Sequence, residues 1–103
     1  MFRKKADILE FEYEPGRFFK NDSNNKLIGE ICYTLLDDHK TISIDHTFVN
    51  PDYRGQGIAR QLLQKTIDLA KEKGWKILPV CPYARKVFEA EPSLKPLLNV
   101  SNK

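Results

Sequence analysis

A glycine-containing loop joins an alternating segment to a long amphipathic segment, and this junction constrains the fold more than any other part of the chain. Residues 41–49 alternate in side-chain character, as β-strands do. Residues 57–73 repeat apolar side chains at helical spacing, and Gly74 supplies the residue that most often ends a helix. The loop between them, residues 54–59, reads Arg-Gly-Gln-Gly-Ile-Ala. This order predicts a long helix that begins at the loop and packs on a sheet.

Other segments before the loop predict the rest of that sheet. Residues 26–36 are typical of a strand, and a turn-rich run separates them from a shorter strand candidate at 17–20. Residues 37–40 form the next turn, so these strands and residues 41–49 predict an antiparallel meander. The apolar run at 8–13 predicts an additional edge strand.

The chain after the long helix predicts a parallel crossover. Residues 75–80 are expected to form a short buried strand, and strand–helix–strand connections are almost always right-handed. Residues 83–90 predict a short C-terminal helix that ends before Pro92. We therefore expect an α/β (α+β) fold in which the meander is joined by one parallel crossover strand. A length of 103 residues fits one domain, spanning 1–103.

Composition narrows the class of protein. A hydrophobic content of 41% with 30% charged residues is ordinary for a globular domain. No apolar run approaches the roughly 18 residues of a membrane span, and no signal-peptide pattern follows the basic N-terminus. We expect a cytoplasmic protein without a membrane partner, in which Cys32 and Cys81 are thiols. The cysteines and histidines lack metal-ligand spacing, so no metal site is expected.

Positive charge is concentrated around the predicted helix. Residues 54–76 contain six basic and two acidic side chains, whereas the net charge of the whole chain is +3. A basic helix with a glycine-rich start suits a phosphate-bearing partner, although a solvated helix face explains several of the lysines equally well. Nucleic acid is not the expected partner, because the sequence shows no interleaved aromatic residues and no recognised binding motif.

The loop itself has the chemistry of an anion site. Exposed N–H groups at a helix N-terminus bind anions, and glycines at positions 55 and 57 would let a phosphate approach the backbone. The loop is neither a Walker A motif nor G-x-G-x-x-G, since Arg60 occupies the last position of the latter. The alternative is that Gly55 and Gly57 only shape a turn.

The residues around this loop resemble the pyrophosphate-binding motif of the GNAT acetyltransferase superfamily. Val49-Asn50-Pro51 precedes the loop, and the loop contains Arg54-x-x-Gly57-x-Ala59. The resemblance covers approximately residues 26–90. It implies that the loop amides hold the diphosphate of coenzyme A and that the preceding strand pairs with the pantetheine arm. The cofactor-binding residues it implies are Phe48, Val49, Arg54, Gly55, Gln56, Gly57, Ile58 and Ala59.

A second pair of motifs resembles a small branch of that superfamily. His-Thr at 46–47 precedes the loop, and Pro-Val-Cys-Pro-Tyr at 79–83 follows the helix. The resemblance implies an acetyl-coenzyme A-dependent N-acetyltransferase that acts on an amine, either a small molecule or a protein. The family's usual tyrosine acid would fall at Phe88. Because that tyrosine is missing, a module that binds coenzyme A with little or no turnover is the alternative.

Two residues near the second helix are candidates for chemistry. Cys81 precedes Pro82, a residue favoured at the first position of a helix, and a helix N-terminus favours a thiolate. We expect Cys81 to be a reactive thiol, with a buried inert thiol as the alternative. Tyr83 or Cys81 would replace the missing acid. Cys32 is expected to be an ordinary core residue.

His46 and Pro79 complete the predicted site. The alternation of its strand places His46 with Ile42, Ile44 and Phe48 on one face, where histidine is either a packing residue or a general base for an amine or a cysteine thiol. Pro79 cannot donate a ladder hydrogen bond, so it indicates an edge or an opening in the sheet. The predicted catalytic residues are Cys81, His46 and Tyr83.

Overall fold

The structure, a computed structural model, describes residues 10–99. Five strands form one sheet in the order β1-β2-β3-β4-β5. The first three pairs of neighbours are antiparallel, and β4 and β5 are parallel. The strands are β1 Glu12–Glu14, β2 Arg17–Asn21, β3 Leu27–Leu35, β4 Thr41–Val49 and β5 Lys76–Pro79. This arrangement confirms the predicted meander with one parallel crossover strand.

Two α-helices pack on one face of the sheet, which we call the inner face. They are α1, Ile58–Lys73, and α2, Pro82–Ala90, and short 3₁₀ helices cover Pro51–Tyr53 and Pro92–Leu97. Ala84 and Phe88 of α2 lie in the same buried cluster as the apolar side of α1. Within residues 10–99, neither α-helix combines the length and the hydrophobicity of a membrane span.

The apolar stripe of α1 forms the centre of the core. Its buried residues are Ile58, Leu62, Leu63, Thr66, Ile67 and Ala70. The stripe has the helical spacing predicted for residues 57–73, and Ala59 beside it is only half-buried. Gly29 of β3 allows this close packing, because a Cβ there would lie 3.3 Å from both Ile58 Cγ2 and Leu62 Cδ1.

A β-bulge in β4 overturns the predicted alternation of that strand. Cys32 of β3 is opposite His46, but the next residue, Tyr33, is opposite Ile44, so Asp45 is extra. Asp45 is fixed by Ser43 Oγ and Thr34 Oγ1, which donate to its carboxylate at 2.7 and 2.6 Å.

The bulge reverses the faces of the β4 side chains that follow Asp45. Ile42 and Ile44 are buried on the inner face, as predicted. His46 and Phe48 were expected beside them, but both lie on the opposite face of the sheet. We call this the outer face, and it contains Arg17, Glu30, Cys32 and His46. The face prediction for His46 and Phe48 is therefore wrong, because an extra residue shifts the two-residue period by one.

The two edge strands also differ from expectation. β5 is an edge strand rather than a buried one, since Leu78 is 41% exposed and only Ile77 is fully buried. The N-terminal edge strand lies at Glu12–Glu14, later than the predicted residues 8–13, of which residues 8 and 9 lie outside the described part.

Candidate functional site

The loop between β4 and α1 is held open by two glycines in the left-handed region. Gly55 has φ 82° and Gly57 has φ 79°, values that L-residues adopt only with strain. A Cβ at either position would have no heavy atom within 4 Å, so both glycines face open space. Because the structure leaves this space free, a ligand can approach the backbone at both positions.

Gly57 is the N-cap of α1, and it has no side chain with which to cap the helix. The first N–H groups of an α-helix have no partner inside the helix. A ligand at the loop can therefore accept hydrogen bonds from the N–H groups of Ile58, Ala59 and Arg60. These groups lie at the positive end of a helix of 16 residues. An anionic ligand such as a diphosphate fits this terminus.

A cavity of about 270 Å³ lies at this helix start. Its lining residues are Val49, Tyr53, Arg54, Gly55, Gly57, Ile58, Ala59, Arg60 and Tyr83. Most of the residues predicted to bind the cofactor thus meet at one cavity. Gln56 is exposed in the loop and does not line it, and Phe48 lies on the outer face.

Two arginines bring positive charge to the cavity. Arg54 Nε donates to the carbonyl oxygen of Val49 at 3.2 Å. Arg60 donates to Gln64 Oε1 and to Glu91 Oε1, both at 2.9 Å, and so connects α1 to the end of α2. A ligand with several phosphate charges fits a cavity with two arginines and free helix N–H groups.

Tyr53 and Arg60 line this cavity but were not among the predicted site residues. The Tyr53 hydroxyl donates to Asp22 Oδ2 at 3.1 Å, which ties the loop to the turn between β2 and β3. Arg60 could have been predicted as a site residue, because it lies three residues after Gly57 in a basic helix. Nothing in the sequence pattern linked Tyr53 to Asp22.

Tyr83 enters the cavity from the second residue of α2. Burial raises the pKa of its phenol, while the positive charge of Arg60 acts in the opposite direction. The phenol therefore keeps its proton at neutral pH and can donate it in a hydrogen bond. The structure places Tyr83 with the loop residues, and its catalytic role stays a prediction.

The parallel strands β4 and β5 separate immediately after Ile44. Pro79 pairs with Ile44, and the N–H groups of Val80 and Cys81 both donate to the carbonyl oxygen of Ile44, at 3.1 and 2.8 Å. β4 continues to Val49 without β5 beside it. The opening predicted at Pro79 is therefore present, at the end of an edge strand.

The structure does not bring Cys81 and His46 together as the expected reactive pair. Cys81 is 4% exposed on the inner face, where its Sγ lies 3.4 Å from Thr47 Oγ1 and accepts from the Ala84 N–H at 3.5 Å. His46 Nε2 lies 3.3 Å from Glu30 Oε2 on the outer face. The bulge at Asp45 is the reason, because it turns His46 away from the core.

The prediction that Cys32 lies in the core is also wrong. This residue is half-buried on the outer face, directly opposite His46. Burial, with a smaller effect from Glu30, raises the pKa of the Cys32 thiol. Within residues 10–99, no three histidine, cysteine or acidic side chains form a group that could hold a metal ion.

A mixed sheet whose parallel strands part beside a glycine loop and a helix start is the GNAT α/β fold. A family profile of GCN5-related N-acetyltransferases matches residues 17–97. The chain therefore belongs to the GCN5-related N-acetyltransferase family.

Solved structures and a curated relative agree with this assignment. The NMR structure of a GCN5-like protein from Staphylococcus aureus is 30% identical, with a TM-score of 0.73 and 92% of both chains covered. A GNAT-family N-acetyltransferase from Escherichia coli, crystallised with coenzyme A, is 27% identical, with a TM-score of 0.53 and 59% of this chain and 37% of that chain covered. An uncharacterized N-acetyltransferase of Methanocaldococcus jannaschii is 32% identical over 66 residues, and the match spans 59% of this chain and 29% of that protein.

Proposed function

We propose that this protein transfers the acetyl group of acetyl-coenzyme A to a primary amine of a small molecule or a protein, in the cytoplasm. One observation carries the proposal: α1 begins at an uncapped N-terminus whose two glycines face open space, beside a cavity that contains Arg54 and Arg60. Coenzyme A is a ligand of one family member of similar fold, from Escherichia coli.

The roles of the chain's own residues follow from their positions. The N–H groups at the start of α1, with Arg54 and Arg60, would hold the phosphates of the cofactor. The free edge of β4 beyond Ile44 would pair with the pantetheine arm, since no strand occupies it within the described residues. When bound, acetyl-coenzyme A supplies an activated thioester.

We propose that the amine attacks the thioester directly, without an acetylated cysteine. Cys81 is almost completely buried, and its sulfur already contacts Thr47 and the backbone of α2. His46 lies on the opposite face of the sheet, so it is not placed to activate Cys81. Tyr83 is the group that would protonate the departing thiolate. It lies two residues after Cys81, whose N–H donates to the Ile44 carbonyl oxygen at the opening, and burial raises the pKa of its phenol so that it keeps its proton.

A coenzyme A-binding module with little turnover is the second candidate function. Phe88 stands where the family's tyrosine acid is expected, and it is 2% exposed in the core. This observation favours the module, because Phe88 has no proton to donate. The assignment to the branch with the Pro-x-Cys-Pro-Tyr motif is part of the first proposal.

Calorimetry with coenzyme A, followed by chromatographic measurement of coenzyme A release with a panel of amines, separates the two candidates. Binding with amine-dependent release supports the transferase. Binding with no release above the rate without amine supports the module. Absence of binding would contradict both.

A further inference from the structure

We propose that Glu30 is a positioning residue that holds the His46 imidazole as the proton acceptor for the amine, on the outer face of the sheet. This inference rests on the proposed transferase function. It also assigns the side of the sheet from which the acceptor arrives. The cofactor phosphates would lie at the start of α1, the amine would approach the outer face, and the opening between β4 and β5 would connect the two.

Glu30 is fixed between two partners by its two oxygens. Arg17 Nε donates to Oε1 at 2.7 Å, and His46 Nε2 lies 3.3 Å from Oε2. Arg17 is itself held, since its guanidinium carbon lies 3.9 Å from the centre of the Phe19 ring and Nη1 donates to Glu14 at 3.3 Å. The carboxylate therefore has little freedom to turn away from His46, because its side chain is only 19% exposed.

This contact favours one tautomer of His46. Nε2 is the ring nitrogen that lies 3.3 Å from Glu30 Oε2, and a carboxylate can only accept a hydrogen bond, so Glu30 stabilises the form with the proton on Nε2. Nδ1 is then the nitrogen with a free lone pair. The His46 side chain is 52% exposed, and the structure shows no partner for Nδ1 among residues 10–99. An incoming amine can therefore reach it.

His46 lies at the opening in the sheet. The last backbone hydrogen bonds between β4 and the residues that follow β5 end at the Ile44 carbonyl oxygen, two residues before His46. The next residue, Thr47, touches Cys81 on the inner face. His46 thus lies where β4 becomes an edge, with its side chain on the side opposite α1.

The step transfers the acetyl group from sulfur to the amine nitrogen. The amine nitrogen forms a bond to the thioester carbonyl carbon, and the carbon–sulfur bond breaks. His46 Nδ1 takes the proton from the amine nitrogen, and Glu30 stabilises the imidazolium through Nε2–H. The leaving sulfur keeps the bond's electron pair and takes a proton from Tyr83. The imidazolium then passes its proton through solvent to the Tyr83 phenolate, which restores both side chains. The products are the acetylated amine and coenzyme A thiol.

Glu30→Gln is the sharpest test, because it exchanges one acceptor oxygen for a donor. Arg17 can only donate, so the single oxygen of the introduced amide would face Arg17, and the amide NH₂ would face His46. Nε2 would then have to accept, and the proton would move to Nδ1. A misplaced proton of this kind disables a histidine base although the geometry is kept.

The readout that a merely structural role would not change is the His46 tautomer, measured by long-range ¹H–¹⁵N NMR. We expect the Nε2–H form in the parent and the Nδ1–H form in Glu30→Gln. Because a general base contributes roughly 10²- to 10⁴-fold, kcat should fall at least about tenfold while the coenzyme A affinity stays unchanged. Adding Glu30→Gln to His46→Gln should cause no further loss.

Glu14→Gln is the matched control. It removes a carboxylate that also pairs with Arg17, at 3.3 Å, but that does not contact His46. This variant should keep the parent tautomer and kcat. Parent-like kcat and tautomer in Glu30→Gln would overturn this inference and leave the proposed function intact. A parent protein that releases no coenzyme A with any amine overturns the proposed function instead.

Discussion

Thr47 Oγ1 lies 3.4 Å from Cys81 Sγ, and this contact connects the free part of β4 to the first turn of α2. Cys81 is the N-cap of that helix, where its sulfur accepts from the N–H of Ala84. The thiol therefore has a structural role at the position where a nucleophile was expected. These contacts and the burial of the thiol are the reasons for which we propose that Cys81 does not carry the acetyl group.

Replacing Cys81 separates these two roles. Cys81→Ala should lower the free energy of unfolding by about 1 kcal/mol, because a capping side chain is lost. Cys81→Ser should retain most of the stability, since serine is a preferred N-cap that can also reach Thr47. Both variants should release coenzyme A with amines at the parent rate. Loss of transfer in both, with binding unchanged, would show that Cys81 carries the acetyl group.

The turn between β3 and β4 should make stability depend on acid pH. The Lys40 N–H, with the Thr41 hydroxyl and N–H, donates to the Asp38 carboxylate and holds its pKa below the usual value near 4. A lowered pKa stabilises the fold above about pH 4, and this contribution is lost as the pH falls through the folded-state pKa. Urea unfolding should therefore show a larger effect of Asp38→Ala at pH 7 than at pH 3. An equal effect at both values would contradict this role of the charge.

Gly29 should be required for the close packing of α1 on the sheet. An added Cβ would lie 3.0 Å from the Phe48 carbonyl oxygen, an atom of the backbone that cannot easily move. Gly29→Ala should therefore destabilise the fold by about 1–3 kcal/mol, as other overpacked sites do. Urea unfolding measures the change. An unchanged free energy of unfolding would contradict this, because it would mean that α1 can move away from the sheet without loss of stability.

The order of the strands and helices, and the loop between β4 and α1, could be predicted from the sequence. Polarity alternation, the helical stripe and Gly74 are local signals, and they predicted β3, β4 and α1 to within one or two residues. The loop was predicted from its two glycines, and the structure shows that both have positive φ angles, which few other residue types adopt. Local signals of this kind do not depend on how distant strands pair.

The outer face could not be predicted, because it depends on strand register. The bulge at Asp45 follows from hydrogen bonds with Ser43 and Thr34, the latter on a neighbouring strand, and no local pattern reports it. One extra residue reverses the face of His46 and Phe48 and brings His46 to Glu30. The exposure of β5 likewise depends on which strand lies beside it.

Arg54 should assist binding without being its main source. Its guanidinium is exposed and, in the described part of the chain, donates a hydrogen bond only to the Val49 carbonyl oxygen, so it is available to a phosphate. Arg54→Ala should weaken coenzyme A binding by about 1.5–3 kcal/mol, the usual contribution of a hydrogen bond to a charged group. Calorimetry should show a smaller loss than in Gly57→Val. A larger loss in Arg54→Ala would mean that side-chain charge, rather than the loop backbone, dominates binding.

The two ends of α1 offer a matched pair of glycines for testing the loop itself. Gly57 has φ 79° and ψ 16°, and Gly74 has φ 75° and ψ 24°. A Cβ at either position meets no heavy atom within 4 Å. Gly57→Ala and Gly74→Ala should therefore cost similar backbone strain, about 1–2 kcal/mol each. Only the Cβ at position 57 would stand where a phosphate is expected.

The most direct measurement is the melting temperature of these two variants with and without coenzyme A. A ligand that binds the native state raises the melting temperature, and the rise grows with its affinity. We expect both variants to melt at a similar, lowered temperature without ligand. Coenzyme A should then stabilise Gly74→Ala as it does the parent and should fail to stabilise Gly57→Ala. An equal shift in both variants would contradict phosphate binding at the start of α1.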